Sequence, residues 1–215
     1  MYIDGFNLYY GALKDTPHKW LNLVRFAEEM LPDYDIDLVA YCTARVKPTD
    51  RAPGANVRQD MYLRALGGLD GVQIHHGNFM RRPDYKEKLR DDKCSCCHMD
   101  PPGCRCCEGP TVRIMRVEEK GTDVQVGVQL VADGLQGRYD AALVVSGDSD
   151  LQPAINVVRQ QANKRVIVAD PRNRARRYLK AKEYRSITPA VLSAAQFPDE
   201  VVLPGGGVVR RPPGW

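Results

Sequence analysis

Acidic residues recur at three stations far apart in the chain: Asp4 with Asn7 in MYIDGFNLYYG, Asp123 in EKGTDVQVGVQL, and Asp148 with Asp150 in VVSGDSDLQP. Each stands where an apolar, strand-like run meets a loop or a helix start. In an open α/β sheet those junctions line the ligand crevice. Taken singly, each residue has a plainer role, because Asp and Ser favour turns and helix N-caps. Together, carboxylates at successive junctions of one sheet converge on one crevice, where they repel unless a cation or a raised pKa relieves them. Hard oxygen ligands of this kind suit Mg²⁺ or Mn²⁺, which polarise a phosphoryl oxygen and lower the pKa of a bound water.

A second cluster is built from sulfur. Six of the seven cysteines fall within CSCCHMDPPGCRCC. Cys94 with Cys97 and Cys104 with Cys107 form two C-x2-C pairs, which supply four thiolates for a tetrahedral structural zinc. A hydrophilic stretch so poor in aliphatic residues needs such a staple to fold. Disulfides and an iron–sulfur cluster are the alternatives, and a cytoplasmic setting disfavours disulfides. Cys96, Cys106 and His98 exceed a four-ligand site. Cys42, in a strand-like run, reads as a buried apolar residue.

The elements that must position these groups alternate. Met1 to Asp4 forms a first strand ending at the carboxylate. Leu21 to Leu31 has helical spacing and is closed by Pro32. A strand follows over 36–46, then a Pro/Gly-rich loop, a helix over 55–66 and a short strand over 72–76. Residues 78–113 break the rhythm and read as an insertion. Helix 121–135, strand 141–146, helix 149–162 and strand 164–169 restore it. Strands alternating with helices imply a mainly parallel sheet covered on both faces. A short helix over 188–195 precedes residues 196–215, a Gly/Pro-rich tail expected to remain mobile.

At 215 residues, with 43% hydrophobic and 27% charged residues, the chain suits one main core plus an insertion. No apolar run approaches the ~18 residues that span a bilayer, and the start has no signal-peptide pattern. A cytoplasmic protein with no membrane partner is expected. The net charge of +4 permits an anionic polymer as partner. Basic residues gather at 81–93 and 164–185, as a basic rim around an acidic centre would require. The run at 172–177, with Lys180 and Lys182, is either a phosphate-tracking face or a solvated one. Tyr9, Tyr10 and Trp20 could stack on unpaired bases or pack in the core.

The blocks IDGFNLYYG (3–11), EKGTDVQVGVQLVADGL (119–135), VVSGDSDLQPAI (144–155) and KRVIVAD (164–170) resemble NYN-domain proteins of the PIN-like nuclease superfamily. The resemblance implies a three-layer α/β/α, Rossmann-like domain over 1–195, interrupted at 78–113. It implies an endoribonuclease using Mg²⁺ or Mn²⁺, with Asp4, Asp123, Asp148 and Asp150 as metal-binding carboxylates. Asn7 would orient Asp4 or a metal-bound water, Ser146 would face the metal or phosphate, and Lys120 would contact the phosphate. Asp133, nearly three turns beyond Asp123, is placed at the surface or behind the site. The histidines at 18, 75, 76 and 98 have no catalytic part. A haloacid-dehalogenase-like phosphatase would need a second Asp two residues after the first, where this chain has Phe6. The remaining alternative is a non-catalytic RNA-binding or regulatory protein on the same fold. RNA is the expected partner in either case, and the sequence leaves its structure and the oligomeric state open.

Overall fold

Strand β1 (Tyr2–Asp4) is three residues long, and all three are buried. Its position explains this, since β1 lies between β2 (Val39–Ala44) and β5 (Ala141–Val145) and runs parallel to both. The computed structural model describes residues 1–48, 52–87, 111–173 and 179–215. Its main sheet has seven strands in the order β4-β3-β2-β1-β5-β6-β7. The others are β3 (Val72–Glu87), β4 (Thr111–Lys120), β6 (Arg165–Ala169) and β7 (Glu183–Tyr184). β2 with β3, β5 with β6 and β6 with β7 are also parallel. The fold is mixed α/β, with a mostly parallel sheet flanked by helices.

Alternation along the strands builds two cores. Ile3, Tyr41, Leu143, Val145 and Ile167 pack with Phe26 and Met30 of helix α2 (Leu23–Met30) and Leu66 of α3 (Ala55–Gly67). Their neighbours Tyr2, Cys42, Val144, Val166 and Val168 pack with Val126 and Leu130 of α4 (Thr122–Leu135) and Ile155 and Val158 of α5 (Gln152–Gln160). Successive side chains of a strand point to opposite faces, so a central strand buried on both must be apolar throughout. Helix α1 (Gly5–Leu8) continues into a π-type turn over Tyr9–Leu13.

Several elements differ from expectation. The strand expected over 72–76 runs on to Glu87, and β4 occupies residues read as part of the insertion and its edge. The chain divides into two compact units, one of Phe79–Glu119 and a larger one of Met1–Asn78 with Lys120–Trp215. The tail has secondary structure. After α6 (Pro189–Ala194), strands β8 (Glu200–Val202) and β9 (Val208–Arg210) form an antiparallel hairpin. Val209 is buried, and Trp215 packs edge-on against the fully buried Trp20. Phe197 near its start and Val209 and Trp215 near its end are apolar anchors of a segment whose glycines suggest mobility. The cysteine pairs at 94, 97, 104 and 107 lie outside the described residues, as do Cys96, Cys106, His98 and most of the basic run at 172–177.

Candidate active site at the carboxyl ends of β1 and β5

From β1 the chain builds the sheet outward through β2 and β3, whereas from β5 it builds the other way through β6 and β7. The crevice of such a sheet opens at this reversal, outside the carboxyl ends of its strands. Asp4 ends β1 there, 5% exposed, in an extended conformation that makes it the N-cap of α1. Its Oδ1 accepts the Asn7 backbone N–H at 2.9 Å, and its Oδ2 accepts Asn7 Nδ2 at 3.1 Å. Asn7 Oδ1 in turn accepts the Gly147 N–H at 3.3 Å, just past the end of β5. One asparagine thus couples the two strand ends.

The loop after β5 is fixed by its own side chains. Ser146 is fully buried, and its Oγ accepts the Asp148 N–H at 3.1 Å. Asp148 Oδ1 accepts the Asp150 N–H at 3.0 Å, capping the 3-10 turn Ser149–Leu151. The capping role and the candidate metal-binding role therefore fall on the same residues. Asp123 lies in the first turn of α4, where the helix dipole favours an anion. Asp123 and Asp150 line a groove of about 660 Å³ between α4 and the start of α5, floored by Gly127, Val131, Leu151 and Ala154. Lys120 ends β4 one residue before Gly121, whose φ of +94° turns the chain into α4.

A further carboxylate belongs to this region. Asp170 follows β6, is 3% exposed and accepts the Arg172 N–H at 2.9 Å. A Cβ placed on Gly147 would stand 2.5 Å from Asp170 Oδ1, so the glycine is what admits this side chain. The signal was present in KRVIVAD, an apolar strand ending in a carboxylate like MYID, but Asp170 was not counted among the acidic stations.

Among the described residues, no group of three or more His, Cys, Asp or Glu side chains is placed to hold a metal ion. The structure joins Asp4, Asn7 and Gly147, sets Asp170 against Gly147, and lines one groove with Asp123 and Asp150. Two residues fall elsewhere. Asp133, expected at the surface or behind the site, is buried and accepts from the Tyr2 hydroxyl at 2.8 Å and from Arg138 at 3.1 Å. Trp20, considered for base stacking, is a core residue donating to the Pro198 carbonyl. Cys42 is buried, as its sequence context suggested. Burial, and secondarily the Asp4 carboxylate, pushes its thiol up to about 12 and keeps it neutral.

Comparison with known proteins agrees with the resemblance over part of the chain. Residues 107–188 match the NYN domain family, which belongs to the PIN-like nuclease superfamily. That span contains Asp123, Asp148, Asp150 and Asp170 and leaves out Asp4 and Asn7. The chain is also 29% identical to 6-hydroxy-3-succinoylpyridine 3-monooxygenase HspA of Pseudomonas putida, covering 100% of this chain and 74% of that protein. A crystal structure of a protein of unknown function from Vibrio parahaemolyticus aligns with a TM-score of 0.45 at 13% identity, covering 87% of this chain and 90% of that one.

Proposed function

We propose, for a chain whose residues 107–188 match the NYN domain, that the crevice between β1 and β5 is the centre of a divalent-metal-dependent endoribonuclease. The observation that carries this is the Asp4–Asn7–Gly147 linkage, which draws an acidic strand end and the GDSD loop to the reversal point of the sheet. The donors suit a hard cation in kind: Asp4, Asp123, Asp148 and Asp150, with Asp170 as an addition, offer only oxygen. Once bound, Mg²⁺ or Mn²⁺ would polarise the phosphodiester and lower the pKa of the attacking water. The protein's part is positioning. Asn7 holds Asp4 in one orientation through both of its N–H donors, and Ser146 fixes the backbone at Asp148. Lys120, at the end of β4, supplies positive charge for the phosphate. On this reading the domain is a three-layer, PIN-like one. Cys94, Cys97, Cys104 and Cys107 hold a structural zinc, for which metal analysis should return about one zinc per chain; its absence would remove that site.

The direct assay is cleavage of labelled single-stranded RNA, structured RNA and DNA with Mn²⁺, Mg²⁺ or EDTA, comparing the wild type with Asp148→Asn. Metal-dependent cutting of RNA by the wild type alone is expected. RNA that is bound and left uncut would replace the nuclease with a non-catalytic RNA-binding protein. One finding favours a second reading: the relative that aligns with the whole chain is named for the oxygenation of a pyridine. Oxygen uptake dependent on 6-hydroxy-3-succinoylpyridine and a reductant, with no RNA cut under any metal, would decide for it.

A further inference from the structure

The first helical segment carries more than Asn7. Residues 6, 10 and 14 follow one another at single-turn spacing, and their side chains form a column. The Phe6 and Tyr10 rings lie nearly parallel, 18° apart with centroids 6.3 Å apart, and Lys14 Nζ sits 5.6 Å from the centre of the Tyr10 ring. Despite these contacts and an edge-on contact with Tyr9, Tyr10 remains 55% exposed. Its two aromatic competitors are committed elsewhere. Trp20 is in the core, and Tyr9 is partly buried against the same core.

The column is anchored beside Asp4. Asp4 caps the helix that Phe6 belongs to, and Asn7 hydrogen-bonds Asp4 and Gly147. At Gly11, next to Tyr10, a Cβ would come within 2.5 Å of Pro171 Cβ and 3.3 Å of Arg172 Cγ. The segment is therefore pressed onto the loop that follows β6 and carries Asp170. This places an exposed ring and two cations, Lys14 and Arg172, on the segments that follow Asp4 and Asp170.

We infer that Phe6, Tyr10, Lys14 and Arg172 form a landing platform for an unpaired polynucleotide strand, with one base stacked on Tyr10 and the adjoining phosphates met by Lys14 and Arg172. This rests on the nuclease reading above and specifies its substrate as single-stranded. The chemistry fits because stacking on an aromatic face accepts any base, while cations along the backbone supply sequence-independent attraction. A paired base keeps its faces within the helical stack and gains little from Tyr10. Phe6 supports Tyr10 from one side, so the ring is ordered before the strand arrives, and the exposed Lys14 ammonium can swing from the ring to a phosphate.

The test is fluorescence anisotropy of labelled single-stranded RNA, single-stranded DNA and duplex RNA with the full chain in buffer without added Mg²⁺ or Mn²⁺, where no cutting is expected. Tyr10→Leu keeps an apolar contact with Phe6 and removes the ring face, and Tyr10→Phe keeps the ring. Single-strand affinity should fall roughly tenfold in Tyr10→Leu, the size expected for one stacked base, and be retained in Tyr10→Phe. Duplex affinity should not change. In Lys14→Ala the salt dependence of single-strand binding should become shallower. Equal single-strand binding by Tyr10→Leu and wild type, or an equal loss on duplex, would overturn the platform and leave the nuclease reading standing. A wild type that binds none of the three here, and cuts none of them when Mn²⁺ or Mg²⁺ is supplied, would overturn both. Loss on RNA but not DNA, or on both, supports the platform and says which sugar it accepts.

Discussion

Gly147 joins the candidate site at three points. Its N–H donates to Asn7, its Cα leaves room for the Asp170 carboxylate, and the next residue is Asp148. In Gly147→Ala the new methyl carbon would lie 2.5 Å from Asp170 Oδ1 and 2.9 Å from its Cγ. The strand end or the carboxylate must then move. The expected result is a loss of RNA cutting of ~100-fold, since misplacing a reacting group by about 1 Å has that effect, with stability lowered by about 1–2 kcal/mol. Gly205→Ala is the control, because a Cβ there meets nothing within 4 Å. Parallel kinetics and urea unfolding measure both, and a Gly147→Ala protein as active as Gly205→Ala would remove the loop from the site.

Among the elements, the ones read well from sequence were those whose periodicity is long enough to see. α4 and α5 show helical spacing over several turns, and β5 and β6 are continuous apolar runs, as strands buried on both faces must be. β1 has no periodicity to offer in three residues and was legible only through its terminal carboxylate. β4 and β7 escaped for different reasons. The sequence TVRIMRVEEK mixes apolar and charged residues within a charged region, and β7 is a two-residue strand. The β8–β9 hairpin was not legible, because glycine content reports backbone freedom and says nothing of anchors nearby in space. Its anchoring can be measured. Trp215 contacts both Trp20 and Tyr62, at centroid distances of 6.4 and 5.6 Å. Trp215→Ala should lower unfolding free energy by about 2 kcal/mol, from lost apolar burial and two aromatic contacts. A change below about 0.5 kcal/mol, the size of an ordinary surface substitution, would return the tail to the mobile class.

At the scale of the whole molecule, the sheet order is what gives distant residues a common address. Asp4, Asp148 and Asp170 lie at the carboxyl ends of β1, β5 and β6, which are neighbours in the sheet although far apart in the chain. The sequence revealed the first two through their motifs. Asp170 became evident only when Gly147 placed it in contact with the same loop. The Asn7 bridge was equally hidden, because the resemblance implied that Asn7 orients Asp4 or a bound water and could not show its bond to Gly147. The central claim is that these carboxylates, with Asp123, serve one cation. Calorimetric titration of Mn²⁺ into the purified chain and into Asp4→Asn, Asp123→Asn and Asp148→Asn tests it most directly. Binding by the wild type that is weakened at least about tenfold, or ~1.4 kcal/mol, in each of the three variants is the expected result, whereas three variants that bind Mn²⁺ as the wild type does would contradict a shared metal centre.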